Sequence, residues 1–402
     1  MLTRSSPGCR LCGQPITRQA LSLGALPVCN RFTHDGDVER PITLDIVECD
    51  TCQLVQLNEV PHPDALVPTV PWIRYREPEG HLDALVEELL WLKPGAGTVL
   101  GTGPFESPLL SRLEARGLAA NALALDAPAT PGRYPYLETW QAILNPERLA
   151  AEAARLGTFD VVSCRYILEH APEPVQALQA LRHMLNPDAL LLVEVPDSGK
   201  FLAARDYCFL WEEHSCYFVE ETLRRLAEVG GYRIVALLRY PGALEDALVA
   251  VLTPAGSPAP VLAPQGPSRL FQAYRDAFAD TRARLGSKLA SLAGPGQDRI
   301  ALFGIGHHAI MFANAFGIAD TIALAVDDDP DKAGFFPPGF RVPVVGSERL
   351  LADEAITTCV FAVAPHIEGK VREKLAPLAA RGVTFHSIYA ALDNAITKDS
   401  AS

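Results

Sequence analysis

Two short cysteine pairs place the strongest constraint on how the N-terminal part of this chain can fold. The pairs are Cys9-Arg10-Leu11-Cys12 and Cys49-Asp50-Thr51-Cys52. Each C-x-x-C lets two thiolates of one tight turn reach a single ion, so that two pairs complete a tetrahedral site of four sulfurs. The spacing predicts a structural zinc held by these four cysteines. Such a closed site stabilises a fold and leaves no open position for chemistry.

The loop between the pairs is longer than in the usual zinc ribbon, so it is expected to hold small structure of its own. Residues 44–48 and 54–57 are predicted to form a hairpin around the second pair. Cys29 lies between the pairs and is interpreted as a buried thiol rather than a fifth ligand. Free or redox thiols are the alternative, but a redox C-x-x-C does not normally occur twice.

Length and charge limit the kind of protein that this can be. A chain of 402 residues with 49% hydrophobic and 21% charged residues predicts a globular protein of two or three domains. The net charge of −13 argues against a general nucleic-acid binder. Without a secretory signal or an apolar run of membrane-spanning length, nine cysteines predict a cytoplasmic protein that contacts neither nucleic acid nor a membrane. The sequence indicates no oligomeric state.

From residue 98 onward, strands and helices alternate in the pattern of a Rossmann-like α/β domain. A strand at 98–100 ends in Gly101-Thr102-Gly103, a turn in which the backbone could approach a ligand closely. A second strand, predicted at 122–126, places Asp126 roughly 20 residues further on, where a ribose hydroxyl would be bound. A bare G-x-G is weak evidence by itself. Later strands are predicted at 158–164 and 189–196, and an antiparallel pair at 233–238 and 246–252 closes the sheet.

The stretch Trp211-Glu212-Glu213-His214 places two carboxylates directly beside a histidine. Histidine beside an acid can transfer protons near neutral pH, because small environmental shifts move its pKa across that range. A surface acidic pair beside an aromatic core contact is the alternative. The position of the stretch, after the last parallel strand of the α/β domain, favours the functional interpretation. Tyr75 is either an active-site phenol or an aromatic residue packed at a domain junction.

A second α/β unit follows a Pro- and Gly-rich linker and an amphipathic helix predicted at 268–293. Its first strand leads into Phe303-Gly304-Ile305-Gly306, and its second strand ends at Asp327. One interpretation is half of a dinucleotide fold with Asp327 as the ribose acid. The other is a doubly wound domain that binds no cofactor and presents loops to its neighbour.

Taken together, these segments make the chain resemble the sugar C-methyltransferase family over nearly its whole length. The resemblance is carried by both cysteine pairs, Pro27-x-x-Asn30-Arg31-Phe32, Glu213-His214, Phe303-Gly304-x-Gly306 and Asp327-x-x-Pro330-Asp331-Lys332. It implies an α/β protein with a small zinc-binding domain at 1–70 and a class I, S-adenosylmethionine (SAM)-dependent methyltransferase domain at 71–253. A linker at 254–267 and a C-terminal Rossmann-like domain at 268–396 follow.

The resemblance also implies an activity and a set of site residues. The expected reaction is methylation of a carbon alpha to a ketone, on a nucleotide-linked deoxy-keto-sugar or a related carbonyl compound. His214 matches the base that removes the alpha proton, and Glu213 the acid that orients it. Tyr75 and His170 match positions that could hydrogen-bond the enolate oxygen or the sugar.

Binding residues follow from the same resemblance. Gly101, Gly103 and Asp126 are expected to hold SAM. Trp211 and the amides after Gly304 and Gly306 are expected to contact the substrate and its phosphates.

Three positions depart from the family pattern. The family carries an acid at Gly101, a glycine at Ser107 and a tyrosine at Trp211. Tryptophan keeps a hydrogen-bond donor but has no acid–base hydroxyl. Two alternatives therefore stay open: an isomerase or epimerase that enolises its substrate without methyl transfer, and a non-catalytic binding protein.

Overall fold

The computed structural model describes residues 8–36, 41–70, 77–123, 144–255, 263–293 and 299–398. Within these ranges the chain forms three sheets, one for each of the three units that the sequence predicts. No helix in this described part is long and apolar enough to cross a membrane.

The N-terminal unit is a small antiparallel sheet beside the four cysteines. Its elements are β1 (Leu21–Leu26), β2 (Ile42–Glu48), β3 (Val55–Leu57) and the short helix α1 (Pro63–Leu66). Strands β2 and β3 pair antiparallel, which confirms the hairpin predicted around the second cysteine pair. A fourth strand, β8 (Cys216–Tyr217), comes from the middle of the chain and pairs with β3.

The middle unit is a six-stranded sheet in the order β5-β4-β6-β7-β10-β9. Its first elements are α2 (Leu82–Leu92), β4 (Thr98–Gly101), α3 (Ser107–Ala115), β5 (Ala119–Ala122), α4 (Pro146–Leu156) and β6 (Phe159–Arg165). They are followed by α5 (Pro174–Ala180), β7 (Leu185–Asp197), α6 (Gly199–Ala204), α7 (Glu220–Val229), β9 (Tyr232–Tyr240) and β10 (Asp246–Pro254).

Strands β5, β4, β6 and β7 run parallel, and β10 is antiparallel to both β7 and β9. This is the sheet with an antiparallel end that the sequence predicts. One strand begins earlier than predicted: β5 covers Ala119–Ala122, whereas the prediction was 122–126, of which residues 124–126 lie outside the described residues. The register explains the difference, because Thr98 lies opposite Ala119 and the β4 strand ends at Gly101, opposite Ala122.

The C-terminal unit is a parallel five-stranded sheet in the order β13-β12-β11-β14-β15. Its elements are α8 (Arg269–Ala293), β11 (Ile300–Phe303), α9 (His307–Phe316), β12 (Ile322–Val326), β13 (Val344–Val345), α10 (Ser347–Ala352), β14 (Thr358–Phe361), α11 (Pro365–Lys374), α12 (Ala376–Ala380) and β15 (Thr384–Ser387). Strand, glycine turn and helix follow one another after residue 300 as the sequence predicts.

One hydrophobic cluster, here called the shared core, joins all three units. It contains Leu21 and Ile46 from the N-terminal sheet, Phe209 from the middle of the chain, and Tyr274 and Phe312 from the C-terminal unit. The aromatic residues of a 3-10 turn at Tyr207–Phe209 lie at its centre. The segment between β7 and β8 is therefore packed among the other two units, although it belongs in sequence to the methyltransferase part of the chain.

Candidate active site

The turn that carries His214 is held by two contacts. The His214 amide donates to the Trp211 carbonyl at 3.2 Å. The Tyr217 hydroxyl lies 2.9 Å from both the amide and the carbonyl of Trp211, so that it closes the turn from the other side. Tyr217 itself belongs to β8, which is paired with β3 of the N-terminal sheet. The sheet of the cysteine-rich unit thus fixes the position of the candidate base.

His170 and His214 lie together, as the resemblance predicts. The Cys216 amide donates to the Glu169 carbonyl at 3.0 Å, and the Ser215 hydroxyl donates to the Ala171 carbonyl at 2.5 Å. These bonds tie the segment after β6 to the segment before β8. As a result the two imidazole rings meet edge to face, with their centroids 4.5 Å apart.

Both imidazoles are neutral near pH 7. Burial lowers the pKa of His170 to about 3 and lowers the pKa of His214 well below its usual 6.5, with nearby His170, His307 and His308 adding to the second effect. His170 Nδ1 lies 3.1 Å from the Glu213 carbonyl, which can only accept. His170 therefore carries its proton on Nδ1. A neutral His214 keeps a free lone pair, which is what a general base requires.

The Glu213 carboxylate is bound by the N-terminal unit. Asn30 donates from Nδ2 to Glu213 Oε1 at 3.0 Å, and from the same nitrogen to the Leu66 carbonyl at 2.7 Å. Asn30 belongs to the Pro27-x-x-Asn30 motif, so this contact gives that motif a structural role. Glu213 and Asn30 are both buried, which strengthens the hydrogen bond between them.

The carboxyl ends of β4 and β6 form the place where a nucleotide-like cofactor fits. The chain leaves β4 towards β5 on one side and later returns to β6 on the other, so the strand order reverses between β4 and β6. In open α/β sheets, ligands bind at this switch point. The loop from Gly101 to Glu106 and the segment from Arg165 to His170 begin there. These two segments are therefore the candidate cofactor site, and the first of them contains Gly101 and Gly103.

Gly101 and Gly103 are required by protein packing at this edge. A Cβ atom on Gly101 would lie 2.5 Å from Glu106 Cβ, and one on Gly103 would lie 2.9 Å from Ile167 Cγ1. The Glu106 side chain therefore fills the space beside the position where the family carries an acid. Its carboxylate accepts from the Ser163 hydroxyl at 2.7 Å and from the Arg165 amide at 3.0 Å.

A buried charge network that sequence reasoning missed lies under the same edge. Arg165 Nε donates to Glu194 Oε2 at 2.5 Å, and His81 Nε2 lies 2.9 Å from Glu194 Oε1. Burial raises the pKa of Glu106 to about 7, although Ser163 and the Arg165 charge oppose the shift. One feature of the sequence indicates this network: charged residues stand at the ends of otherwise apolar strands.

The glycine turn of the C-terminal unit is locked by Asp327. The Ile305 amide, which follows Gly304, donates to Asp327 Oδ2 at 2.8 Å, and Lys332 Nζ donates to the same oxygen at 2.7 Å. That amide is therefore not free for a phosphate, contrary to the expectation for the residue after Gly304. Asp327 binds the turn and the Lys332 ammonium, so the second interpretation of this unit, without a ribose acid, fits better. Gly306 caps the start of α9.

Trp211 packs against two histidines, His214 of its own turn and His307 of the C-terminal unit. Its ring stacks on His307 with centroids 3.4 Å apart and lies 5.5 Å from the ring of His214. Sequence reasoning missed His307 and His308, because only the fold brings the start of α9 to this turn. Tyr75 and Asp126, two further predicted site residues, lie outside the described residues.

The four cysteines converge as the spacing predicts. Their sulfur atoms all lie within 4.8 Å of one another, with Cys9 Sγ 3.3 Å from Cys52 Sγ and Cys12 Sγ 3.5 Å from Cys49 Sγ. Zinc–sulfur bonds of about 2.3 Å place tetrahedral ligands about 3.8 Å apart, so the set fits a zinc ion after a small adjustment.

Family models match almost all of the chain in three consecutive pieces. A zinc binding domain matches residues 9–66, a methyltransferase domain matches residues 73–237, and a C-methyltransferase C-terminal domain matches residues 266–388. The order is the one that the resemblance implies.

Individual proteins are similar to most of the chain or to one part of it. The C-methyltransferase NovU of Streptomyces niveus is 25% identical over 387 residues, which is 87% of each chain. A ubiquinone biosynthesis O-methyltransferase of Colwellia psychrerythraea is 36% identical over 80 residues, covering 18% of this chain and 32% of its own. The solved structure of the 1,6-didemethyltoxoflavin-N1-methyltransferase of Burkholderia thailandensis is 17% identical and covers 44% of this chain and 79% of its own. The TM-score of this match is 0.29. On the three family matches and the long relative, the chain belongs to the C-methyltransferase family and is a SAM-dependent methyltransferase with an N-terminal zinc-binding domain.

Proposed function

We propose that this enzyme methylates the carbon alpha to a ketone in a nucleotide-linked deoxy-keto-sugar or a related carbonyl compound, with His214 as the base. The observation that carries the proposal is the environment of His214. Its imidazole is neutral and lies next to His170. The residue is held by backbone contacts and keeps part of its surface exposed. The substrate class rests on the family resemblance.

The reaction needs a proton acceptor before the carbon can attack. The neutral His214 takes the alpha proton, and the electron pair of the broken C–H bond moves into the ketone to form an enolate. SAM, when bound at the ends of β4 and β6, supplies the methyl group. The enolate carbon would accept this methyl group and the ketone would re-form, with the electrons of the broken S–C bond remaining on S-adenosylhomocysteine.

His170 and Glu213 have supporting roles in this proposal. His170 Nδ1 donates to the Glu213 carbonyl, and this contact sets the position of the His170 ring beside His214. Asn30 holds the Glu213 carboxylate from the N-terminal unit. Trp211 offers a flat aromatic face next to His214.

The first test is methyl transfer with a panel of nucleotide 4-keto-sugars. We expect S-adenosylhomocysteine to form with at least one of them and a His214→Gln variant to be about 10²- to 10⁴-fold slower, since a positioned general base contributes that much. SAM affinity, measured by calorimetry, should stay unchanged. His183→Gln is the matched control, because His183 is an exposed histidine of the same unit.

Two outcomes would contradict the proposal. One is a His214→Gln variant as active as wild type. The other is substrate deuteration in heavy water without any S-adenosylhomocysteine, which would indicate an enolising isomerase instead. The pH profile adds a check: kcat/KM should stay level from pH 7.5 to 6.5 and fall only at lower pH, because His214 is protonated only well below 6.5.

A further inference from the structure

Cys29, Glu212 and His307 form a second cluster of potential metal ligands, outside the four-cysteine site. Each comes from a different unit: the N-terminal unit, the turn before β8, and the start of α9. Their ligand atoms all lie within 4.8 Å of one another. Cys29 and Glu212 are buried, with exposed fractions of 3% and 2%.

The contacts that the structure describes around the cluster leave one buried carboxylate oxygen without a hydrogen-bond partner. Glu212 Oε1 accepts from the Cys29 amide at 2.5 Å. Glu212 Oε2 is buried and has no hydrogen-bond partner within the described part of the chain. It faces His307 Nδ1 at 4.0 Å, which is too long for a hydrogen bond. A buried carboxylate oxygen without a partner is costly, so either a proton or a metal cation is expected between these two atoms.

The protonation of His307 makes this position suitable for a metal. His307 Nε2 lies 3.1 Å from the Leu210 carbonyl, which can only accept, so Nε2 carries the hydrogen. Nδ1 then presents its lone pair to Glu212. Histidines that bind metals almost always donate their other ring nitrogen to a carbonyl or carboxylate in this way. Trp211 stacks on the imidazole and fixes its plane.

We propose that Cys29, Glu212 and His307 bind a second zinc-class divalent cation that links the three units of the enzyme. With the ion bound, the Cys29 thiol would lose its proton, and the resulting thiolate and the Glu212 carboxylate would carry two negative charges that a divalent cation neutralises. A Cys, Glu and His set suits zinc. Zinc bonds of about 2.0–2.3 Å require the three ligand atoms to move together by about 1 Å. Three protein ligands leave a fourth coordination position open.

The binding test measures zinc per chain. The full-length enzyme is titrated with zinc against a chromophoric chelator and then analysed by elemental mass spectrometry. We expect two zinc ions per wild-type chain and one in Cys29→Ser and His307→Gln. Glu212→Gln keeps an acceptor for the Cys29 amide and should bind the second ion roughly tenfold or more weakly. Cys359→Ser, which removes a buried thiol elsewhere, should still bind two.

Several results would overturn the proposal. One zinc per wild-type chain at saturation would do so, and so would a second zinc that persists in Cys29→Ser and His307→Gln. Glu169, His170 and His214 form a third group of possible ligands. If His170→Gln loses the second ion while Cys29→Ser keeps it, the ion belongs to that group instead. None of these readouts depends on methyl transfer, so they stand apart from the proposed reaction.

Discussion

At the scale of single residues, Arg165 depends most on its neighbours, because its charged side chain is almost completely buried, with an exposed fraction of 1%. Its guanidinium donates to Glu194 and to the Phe105 carbonyl, and its backbone amide is bound by Glu106. Burial opposes ionisation of Glu194, but hydrogen bonds from His81 and Arg165 keep the Glu194 pKa below its usual value. A charge of this kind is tolerated only while its partner is present.

Replacing Arg165 with methionine should therefore destabilise the enzyme strongly. We expect the free energy of unfolding in urea to drop by about 3–5 kcal/mol, because Glu194 would lose its main buried cation. Arg165→Met combined with Glu194→Leu should recover most of that loss, since both charges are then gone. Arg112→Met is the control, because Arg112 pairs with the exposed Asp83 and should cost less than about 1 kcal/mol. Equal losses in both single variants would contradict this account.

The four cysteines lie together as their spacing predicts, because a C-x-x-C motif carries that information locally. His170 and His214, which the family resemblance places in one site, lie side by side. The sequence did not reveal Glu106, Arg165 or His307. Glu106 is recognised only once the register shows that it fills the space beside Gly101. His307 meets Trp211 only because α9 packs against the turn before β8, a contact between segments about 100 residues apart that no short pattern records.

At the scale of elements, the 3-10 turn Tyr207–Phe209 is anchored by the residue before it. Asp206 accepts from the Ala390 amide at 2.8 Å, which ties the turn to the C-terminal unit. Burial raises the Asp206 pKa from 3.8 to about 6, although hydrogen bonds from Cys208 and Ala390 oppose the shift. Because the pKa of Asp206 is higher in the folded state than in the unfolded state, the free energy of unfolding decreases as the pH rises from about 4 to about 6.

Asp206→Asn should therefore stabilise the enzyme at pH 8. Asparagine can still accept from the Ala390 amide but carries no charge, so we expect a gain of about 1–3 kcal/mol in the free energy of unfolding. The difference in free energy of unfolding between variant and wild type should shrink as the pH falls from 6 to 4. In that range wild-type Asp206 becomes protonated in the folded state and increasingly so in the unfolded state. Urea titrations at pH 4, 6 and 8 measure it. A gap of the same size at all three values would show that charge is not the cause.

The cysteine site is the second element whose role can be tested. Cys52→Ser should abolish binding of the structural zinc and unfold the N-terminal sheet, because a structural zinc supplies folding free energy directly. Circular dichroism and zinc content measure this effect. Methyl transfer should fall as well, since β8 and the His214 turn depend on pairing with β3. Wild-type melting and full activity without zinc would contradict a structural role.

At the scale of the whole molecule, the shared core packs the N-terminal and C-terminal units against the segment that leaves the six-stranded sheet after β7. Phe209 stacks with Phe201, and its ring centroid lies 4.5 Å from that of His308 of the C-terminal unit. The Tyr207 hydroxyl donates to the Tyr274 carbonyl at 2.7 Å. Contacts of this kind, formed by buried aromatic groups across unit boundaries, couple the stabilities of the units they join. The strand pairing of the six-stranded sheet does not by itself require the stabilities of the units to be coupled.

Wild-type enzyme should therefore melt in a single calorimetric transition. Phe209→Ala removes the aromatic group at the centre of the shared core, which costs about 3–5 kcal/mol and leaves a cavity. We expect the transition of this variant to split in two, because the C-terminal unit loses its packing against the turn while its own sheet stays intact. Phe385→Ala is the matched control, since Phe385 stacks on Phe361 within the C-terminal sheet alone and should lower Tm without uncoupling the units. Two transitions in wild type would show that the units unfold independently. A single transition in Phe209→Ala would show that their coupling does not depend on this aromatic group.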